Sequence, residues 1–386
     1  MKRIDLDANA TTPVLPEVIE AMLPYFAAQG GNPSSAHAAG QRTRSAVEKA
    51  RESVARLLHA AAKEIVFTSG GTESDNLALR GVLEPYVDRG ESAHLITTQI
   101  EHHAVLYAAE ALEKRGVAVT YLPANAEGVV TAEAVASALR PETRLISVML
   151  ANNETGAVQP VGKIARIARE HGVLMHTDAV QAAAKLPLDM SGEFKNVDLL
   201  SLSGHKMYAP QGTGALFVRK GVALQPLQFG GPQERQRRAG TENVPGVVAL
   251  GKAAELAMSW LDSDAALALE RLRDRLEQGI LNRTEDVVVN ASAARRVANT
   301  TNLRFAGVDA EPLLIALDMQ GVSASFGAAC MSGATEPSHV LVAMGLSVRE
   351  ARASLRLSLS RETKEEEIDR AIEIVSAAVK RLRALA

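Results

Sequence analysis

At 386 residues, with 47% hydrophobic and 23% charged residues, the chain has the composition of a globular enzyme and the length for two domains, which excludes a disordered or fibrous polymer. A formal net charge of −3 gives no reason to expect nucleic acid or an anionic membrane as partner, and a single cysteine excludes an internal disulfide framework or a multi-thiolate metal site. The first seven residues include Asp5 and Asp7 where a secretory signal needs an apolar stretch, and no apolar run approaches the roughly 20 residues that span a bilayer, so the cytoplasm is the expected location.

From residue 64 to about 220, short apolar runs alternate with helical patterns. Strands are predicted over residues 65–68, 94–98, 117–122, 145–150, 173–177, 197–202 and 214–218, with helices over 75–83 and 104–114. Strands rich in Val, Ile and Leu between helices predict an α/β fold, a mostly parallel sheet covered on both faces, with ligands beyond the C-terminal strand ends. A second region begins near Ala253, where Glu, Arg and Leu recur at helical spacing through Ile280. Its strand candidates are residues 287–289, 301–305 and 354–358. A last helix is signalled by Thr363 and Glu366 as a capping box and by an apolar face of Ile368, Ile372, Val375 and Val379. The junction falls within residues 245–255, as either a continuous helix or a loop.

Polar clusters follow the strands. Ser69-Gly70-Gly71-Thr72-Glu73-Ser74-Asp75-Asn76 opens a helix whose free N–H groups suit an anion, though a plain capped helix start reads the same way; it lacks the ending of a Walker loop. In Glu101-His102-His103 the histidines lack a metal-ligating spacing, so one of them stacks on an aromatic group or moves a proton. Asn152-Asn153-Glu154-Thr155-Gly156 reads as a turn. Asp178, beyond another strand, is either a helix N-cap or a carboxylate partner for a pyridine nitrogen. Ser203-Gly204-His205-Lys206 sets a hydroxyl and an imidazole beside an amine, which suits a lysine carrying pyridoxal phosphate as a Schiff base. Cys330 lies among glycines and small residues, where a cysteine is placed to act as a nucleophile. Arg356 has the two-pronged geometry for a carboxylate, or for a surface ion pair.

Together these segments resemble the pyridoxal-phosphate-dependent cysteine desulfurases of the class V aminotransferase type, which supply sulfur for iron–sulfur clusters. The match runs in order from Leu6-Asp7-Ala8-Asn9-Ala10-Thr11-Thr12-Pro13 to the segment at 361–369, through Gly31-Asn32-Pro33-Ser34-Ser35, residues 67–76, Asn152 to Gly156, Ser203 to Lys206, residues 238–244 and Glu336-Pro337-Ser338-His339-Val340. The resemblance implies fold type I: a large domain (15–252) built on a seven-stranded sheet, and a smaller α+β domain (1–14 and 253–386) carrying the cysteine loop. It also implies a homodimer with L-cysteine as substrate and a sulfur-acceptor or iron–sulfur scaffold protein as partner.

Position by position, the resemblance makes Lys206 the cofactor-bearing lysine, Asp178 the partner of the ring nitrogen and His102 the stacking imidazole. Asn153 and Gln181 fall near the ring hydroxyl. Gly71, Thr72, Ser203, Gly204 and His205 fall around the phosphate, and Thr241 reaches the phosphate of the partner subunit. Arg356, with Asn153, holds the substrate carboxylate, and Cys330 accepts the sulfur. The usual pattern before that cysteine is Ser-Ser-Gly-Ser-Ala-Cys; here it is Ser325-Phe326-Gly327-Ala328-Ala329-Cys330, followed by Met331. A selenocysteine lyase or an aminotransferase on the same scaffold is the alternative, and the acceptor's identity is not written in the sequence.

Overall fold

A computed structural model describes residues 3–27, 30–327 and 336–385. β1 (Ile4–Asp5), α1 (Pro16–Met22) and α2 (Ala38–Leu57) come first. Strands and helices then alternate: β2 (Ile65–Thr68), α3 (Gly71–Asp88), β3 (His94–Thr98), α4 (His103–Glu113), β4 (Ala118–Leu122), α5 (Ala132–Ala138), β5 (Thr143–Ser147), α6 (Val161–Glu170) and β6 (Leu174–Asp178). β7 (Leu199–Ser203), β8 (Gly214–Val218), α7 (Val244–Leu261) and α8 (Ala265–Arg283) follow. The remainder comprises β9 (Val287–Val289), β10 (Thr300–Phe305), α9 (Ala310–Met319), β11 (Val322–Ser323), α10 (His339–Ala343), α11 (Val348–Arg352), β12 (Ser354–Ser358) and α12 (Glu365–Leu385).

The central sheet has seven strands in the order β2-β8-β7-β6-β5-β3-β4. All pairs are parallel except those of β8, which runs against β2 and β7. β2, β3, β5, β6 and β7 therefore deliver their C-terminal ends to one edge, and the polar motifs of the sequence follow those ends. These strands are buried on both faces, which is why they are continuous apolar runs.

A second core joins the two ends of the chain. Ile4 and Leu6 pack with Leu303, Phe305, Leu355, Leu357, Ile368, Ile372 and Val375. β1 pairs parallel with β11, and β12-β10-β9 form a three-stranded antiparallel sheet. Such a long-range pairing of the first strand has no local sequence signal.

Two local expectations are corrected, and of two alternatives left open at the junction the continuous helix is found. The helical pattern from Ala253 to Ile280 is two helices, broken at residues 262–264, where Ser263 Oγ accepts the N–H of Ala265 at 3.2 Å and starts α8. The junction at 245–255 lies inside the continuous α7. The expected box is replaced by separate contacts: Thr363 Oγ1 accepts the N–H of Ser360 at 3.0 Å, and one residue later the Lys364 N–H donates to Glu367 Oε2 at 3.1 Å. Among the described residues α7, 18 residues long, has the length and composition to cross a membrane; here half of it is buried against the protein. At Gly251 a Cβ would stand 2.6 Å from the Ala50 Cα, so the missing side chain lets α7 lie directly on α2.

Candidate active site

A cavity of about 210 Å³ opens at the C-terminal edge of the sheet. Gly71, Thr72, His102, Asn153, Asp178, Gln181, Ser203, His205, Lys206 and Arg356 line it, residues drawn from six separate segments. Lys206 ends a tight 3₁₀ turn, Gly204–Lys206, directly after β7. Its Nζ donates to the carbonyls of Asn9 and Ala10, each at 2.6 Å, which aims the amine at the N-terminal segment beside the cavity. Gly204 does not line the cavity; a Cβ there would meet Thr213 Oγ1, so it serves the turn itself.

Asp178 ends β6, buried, with Oδ1 accepting the N–H of Val180 at 2.8 Å. Burial pushes its carboxyl up to about 6, against the opposing pull of that N–H and of Lys206. His102 is the N-cap of α4: its Nδ1 accepts the Ala104 N–H at 3.1 Å, leaving Nε2 as the N–H. Burial, then His103, Lys206 and His339, push His102 down to about 4, so it is neutral at physiological pH. His205 is likewise pushed to about 4 by burial and by Lys206.

The helix start at Gly71 is built for close approach. Gly70 has φ 155°, and a Cβ on Gly71 would stand 2.8 Å from Val180 Cγ2. Thr68 Oγ1 bonds Ser74 Oγ at 2.8 Å and Ser69 N–H donates to Glu73 Oε2 at 2.8 Å, fixing the turn from behind. Arg356, 2% exposed on β12, donates through Nη1 to the Asn153 carbonyl at 3.0 Å and through Nη2 to Asp7 Oδ1 at 2.8 Å. Among the described residues, three buried polar atoms of cavity-lining side chains, Asp75 Oδ1, Asn153 Oδ1 and Arg356 Nε, have no hydrogen-bond partner.

Of the expected residues that the structure describes, Gly204 and Thr241 do not line the cavity. Thr241 is exposed on the loop before α7 and does not line the cavity. Cys330 lies outside the described residues. Conversely, Asn9, Ala10, Asp75, Met149, Ala151 and Val180 line the cavity without having been singled out. Asn9 lies between two alanines of the N-terminal motif, and Asp75 lies near the start of α3 after the glycine pair; both are buried.

The class V aminotransferase family model matches residues 4–371. A cysteine desulfurase of Trichormus azollae is 50% identical over 385 residues, covering 100% of this chain and 95% of the relative. The chain belongs to the cysteine desulfurase family. Among solved structures, a NifS-like protein superposes with a TM-score of 0.91 at 37% identity, covering 98% of this chain and 99% of the other. A second, SspA in complex with cysteine, gives 0.82 at 38% identity over 93% and 99%.

Cysteine desulfurases of this class use pyridoxal phosphate. The residues present fit it: a helix start with a glycine cradle suits the phosphate, a buried carboxylate suits a protonated ring nitrogen, and a lysine amine faces both. The unpartnered Asn153 Oδ1 and Arg356 Nε are polar atoms that a polar ligand would satisfy.

Proposed function

We propose that this chain removes sulfur from L-cysteine, releasing L-alanine and leaving a persulfide on Cys330 for transfer to an acceptor protein. The observation that carries the reading is the convergence of Lys206, Asp178, His102 and Arg356 on one cavity. Pyridoxal phosphate supplies the electron sink for charge developing at the substrate Cα.

The chain's own residues do the rest. Gly71, Thr72, Ser203 and His205 bind the phosphate, Asp178 holds the ring nitrogen's proton, and Asn153 and Gln181 flank the ring oxygen. Arg356 fixes the substrate carboxylate, and His102 covers the ring as a neutral imidazole. Lys206 Nζ takes the Cα proton. The Cys330 thiolate attacks the substrate sulfur: an S–S bond forms, the Cβ–S bond breaks, the electron pair left on Cβ is protonated, and Lys206 Nζ returns a proton to Cα to give alanine.

Two domains (15–252 and 1–14 with 253–386) and a homodimer complete the proposal, with Thr241 reaching the partner's phosphate. The cytoplasm is the proposed location and an iron–sulfur scaffold or related sulfur acceptor the proposed partner. The test is sulfide and alanine release from L-cysteine with a reductant, for wild type beside Cys330→Ala. Equimolar products from wild type and none from the variant support it; pyruvate from wild type, or full activity of the variant, overturns it.

A further inference from the structure

Lys185 follows Gln181 by four residues in the turns after β6, and no role in the proposed chemistry falls to it. Its stem borders an open cleft, but its amine points inward. Nζ donates to Gln181 Oε1 at 2.6 Å and to Asn9 Oδ1 at 3.0 Å. Burial, then the positive charges of Lys206, Arg356 and Arg361, push this amine well below the ordinary lysine range. Two acceptors, one on each of two neighbouring side chains, take hydrogens from this amine.

Both acceptors belong to residues that line the cavity. Gln181 Nε2 donates to the Asn9 carbonyl at 2.9 Å, so its amide is held at both ends: the oxygen on Lys185 and the nitrogen on a carbonyl that can only accept. Turning the amide over would set two oxygens face to face and strand the amine. Asn9 is held as firmly, its Nδ2 donating to Asn153 O at 3.1 Å and Thr300 Oγ1 at 2.9 Å. The Asn9 carbonyl also accepts from Lys206 Nζ at 2.6 Å.

We propose that Lys185 is a positioning residue for the cofactor site: it locks Asn9 and Gln181 together, so that Gln181 turns an amide N–H, never its oxygen, toward the ring oxygen of the cofactor. This rests on the pyridoxal phosphate reading above. Remove the amine and Gln181 Oε1 loses its donor, while Asn9 Oδ1 keeps only that of Asn299 Nδ2 at 3.1 Å, which frees the Gln181 amide to tilt.

The test compares holoenzyme of wild type and Lys185→Met, a side chain of similar length without donors. The readouts are the visible absorbance band and circular dichroism of bound pyridoxal phosphate, with kcat and KM for cysteine. A folded Lys185→Met should show a displaced band, altered visible dichroism and kcat lower by about tenfold, the size of one lost hydrogen bond, with KM little changed. Gln181→Leu should move the band and dichroism in the same sense. A Lys185→Met protein that melts earlier but keeps the wild-type band and dichroism overturns the proposal, since packing alone would then explain the residue. Should Lys185→Met not fold, an unchanged band in Gln181→Leu overturns it equally. A wild type that gives no visible band with added pyridoxal phosphate overturns the cofactor reading and this proposal with it.

Discussion

Arg356 Nη2 donates to Asp7 Oδ1 at 2.8 Å, joining β12 to the N-terminal segment that also supplies Asn9 and Ala10 to the cavity. The contact fixes one prong of a guanidinium whose other prong rests on the Asn153 carbonyl. The side chain is thereby aimed before substrate arrives, which limits the ordering that binding requires. Arg356→Lys keeps the charge but loses the planar fork. It should raise KM for cysteine by about 100-fold with a smaller change in kcat, the size expected for a charge-assisted pair. Asp7→Asn retains an acceptor and should raise KM by less than about tenfold. Steady-state kinetics on folded variants checks both.

The buried Asp178 carboxyl gives a pH-dependent cofactor affinity. Burial raises it to about 6, so the empty site holds a neutral acid below that pH and a carboxylate above it. A raised carboxyl stabilises the empty fold at low pH, and that contribution is lost as pH rises through about 6. A protonated ring nitrogen reverses the preference, because it pairs with the ionised form. The gain in melting temperature on adding pyridoxal phosphate should therefore grow between pH 5 and pH 7. Asp178→Asn should flatten that trend and lower kcat by 100-fold or more, on the order of 3 kcal/mol of lost electrostatic stabilisation. Thermal melts of apo and holo protein at each pH decide it.

Glu101 stands one residue before His102 and is buried with no counter-cation in hydrogen-bond contact. Its Oε1 accepts from Thr98 Oγ1 at 2.7 Å and from the Met149 N–H at 3.0 Å, pinning the end of β3 to the segment after β5. Burial pushes the carboxyl up to about 8. The stability this confers is complete below the ordinary glutamate range and is lost as pH rises through about 8. Wild type should lose on the order of 4 kcal/mol between pH 5 and pH 9 from this group alone. Glu101→Gln keeps the acceptor oxygen and removes the ionisation, so it should match wild type near pH 4 and melt increasingly higher than wild type up to pH 9. Equal melting of the two proteins at pH 9 would sink the argument.

Much of this was legible because its cause is local. The runs at 65–68, 94–98 and 214–218 coincide with β2, β3 and β8, since a strand buried on both faces must be apolar throughout. The polar residues after β2 and β3 line the cavity because parallel strands bring their C-terminal ends together, whereas β8 runs the other way and ends at the opposite edge. What was not legible depends on distant partners. The break at residues 262–264 interrupts a pattern that is helical on both sides, so periodicity ran through it. Asn9 gave no sign of its bonds to Thr300 and Asn299, some 290 positions away in the chain. Lys185 looks like a surface lysine until the fold turns its amine inward.

Gly71 tests whether the cofactor cradle is shaped by packing or by the helix start alone. A Cβ there would stand 2.8 Å from Val180 Cγ2, closer than two carbons approach without displacing something. Val180 follows Asp178 by two residues, and its N–H is the donor that holds the Asp178 carboxylate at 2.8 Å. Gly71→Ala should therefore disturb both ends of the site at once: the helix start shifts outward, and the Val180 backbone is pressed away from Asp178. The expected outcome is a stability loss of about 1–3 kcal/mol, typical of overpacking, with pyridoxal phosphate affinity down at least about tenfold. Val180→Ala removes the colliding methyl and leaves the N–H in place. The double variant Gly71→Ala with Val180→Ala should recover most of the lost affinity, a positive coupling between neighbours. If Gly71→Ala alone binds the cofactor as wild type does, or if the double variant recovers nothing, the steric account fails.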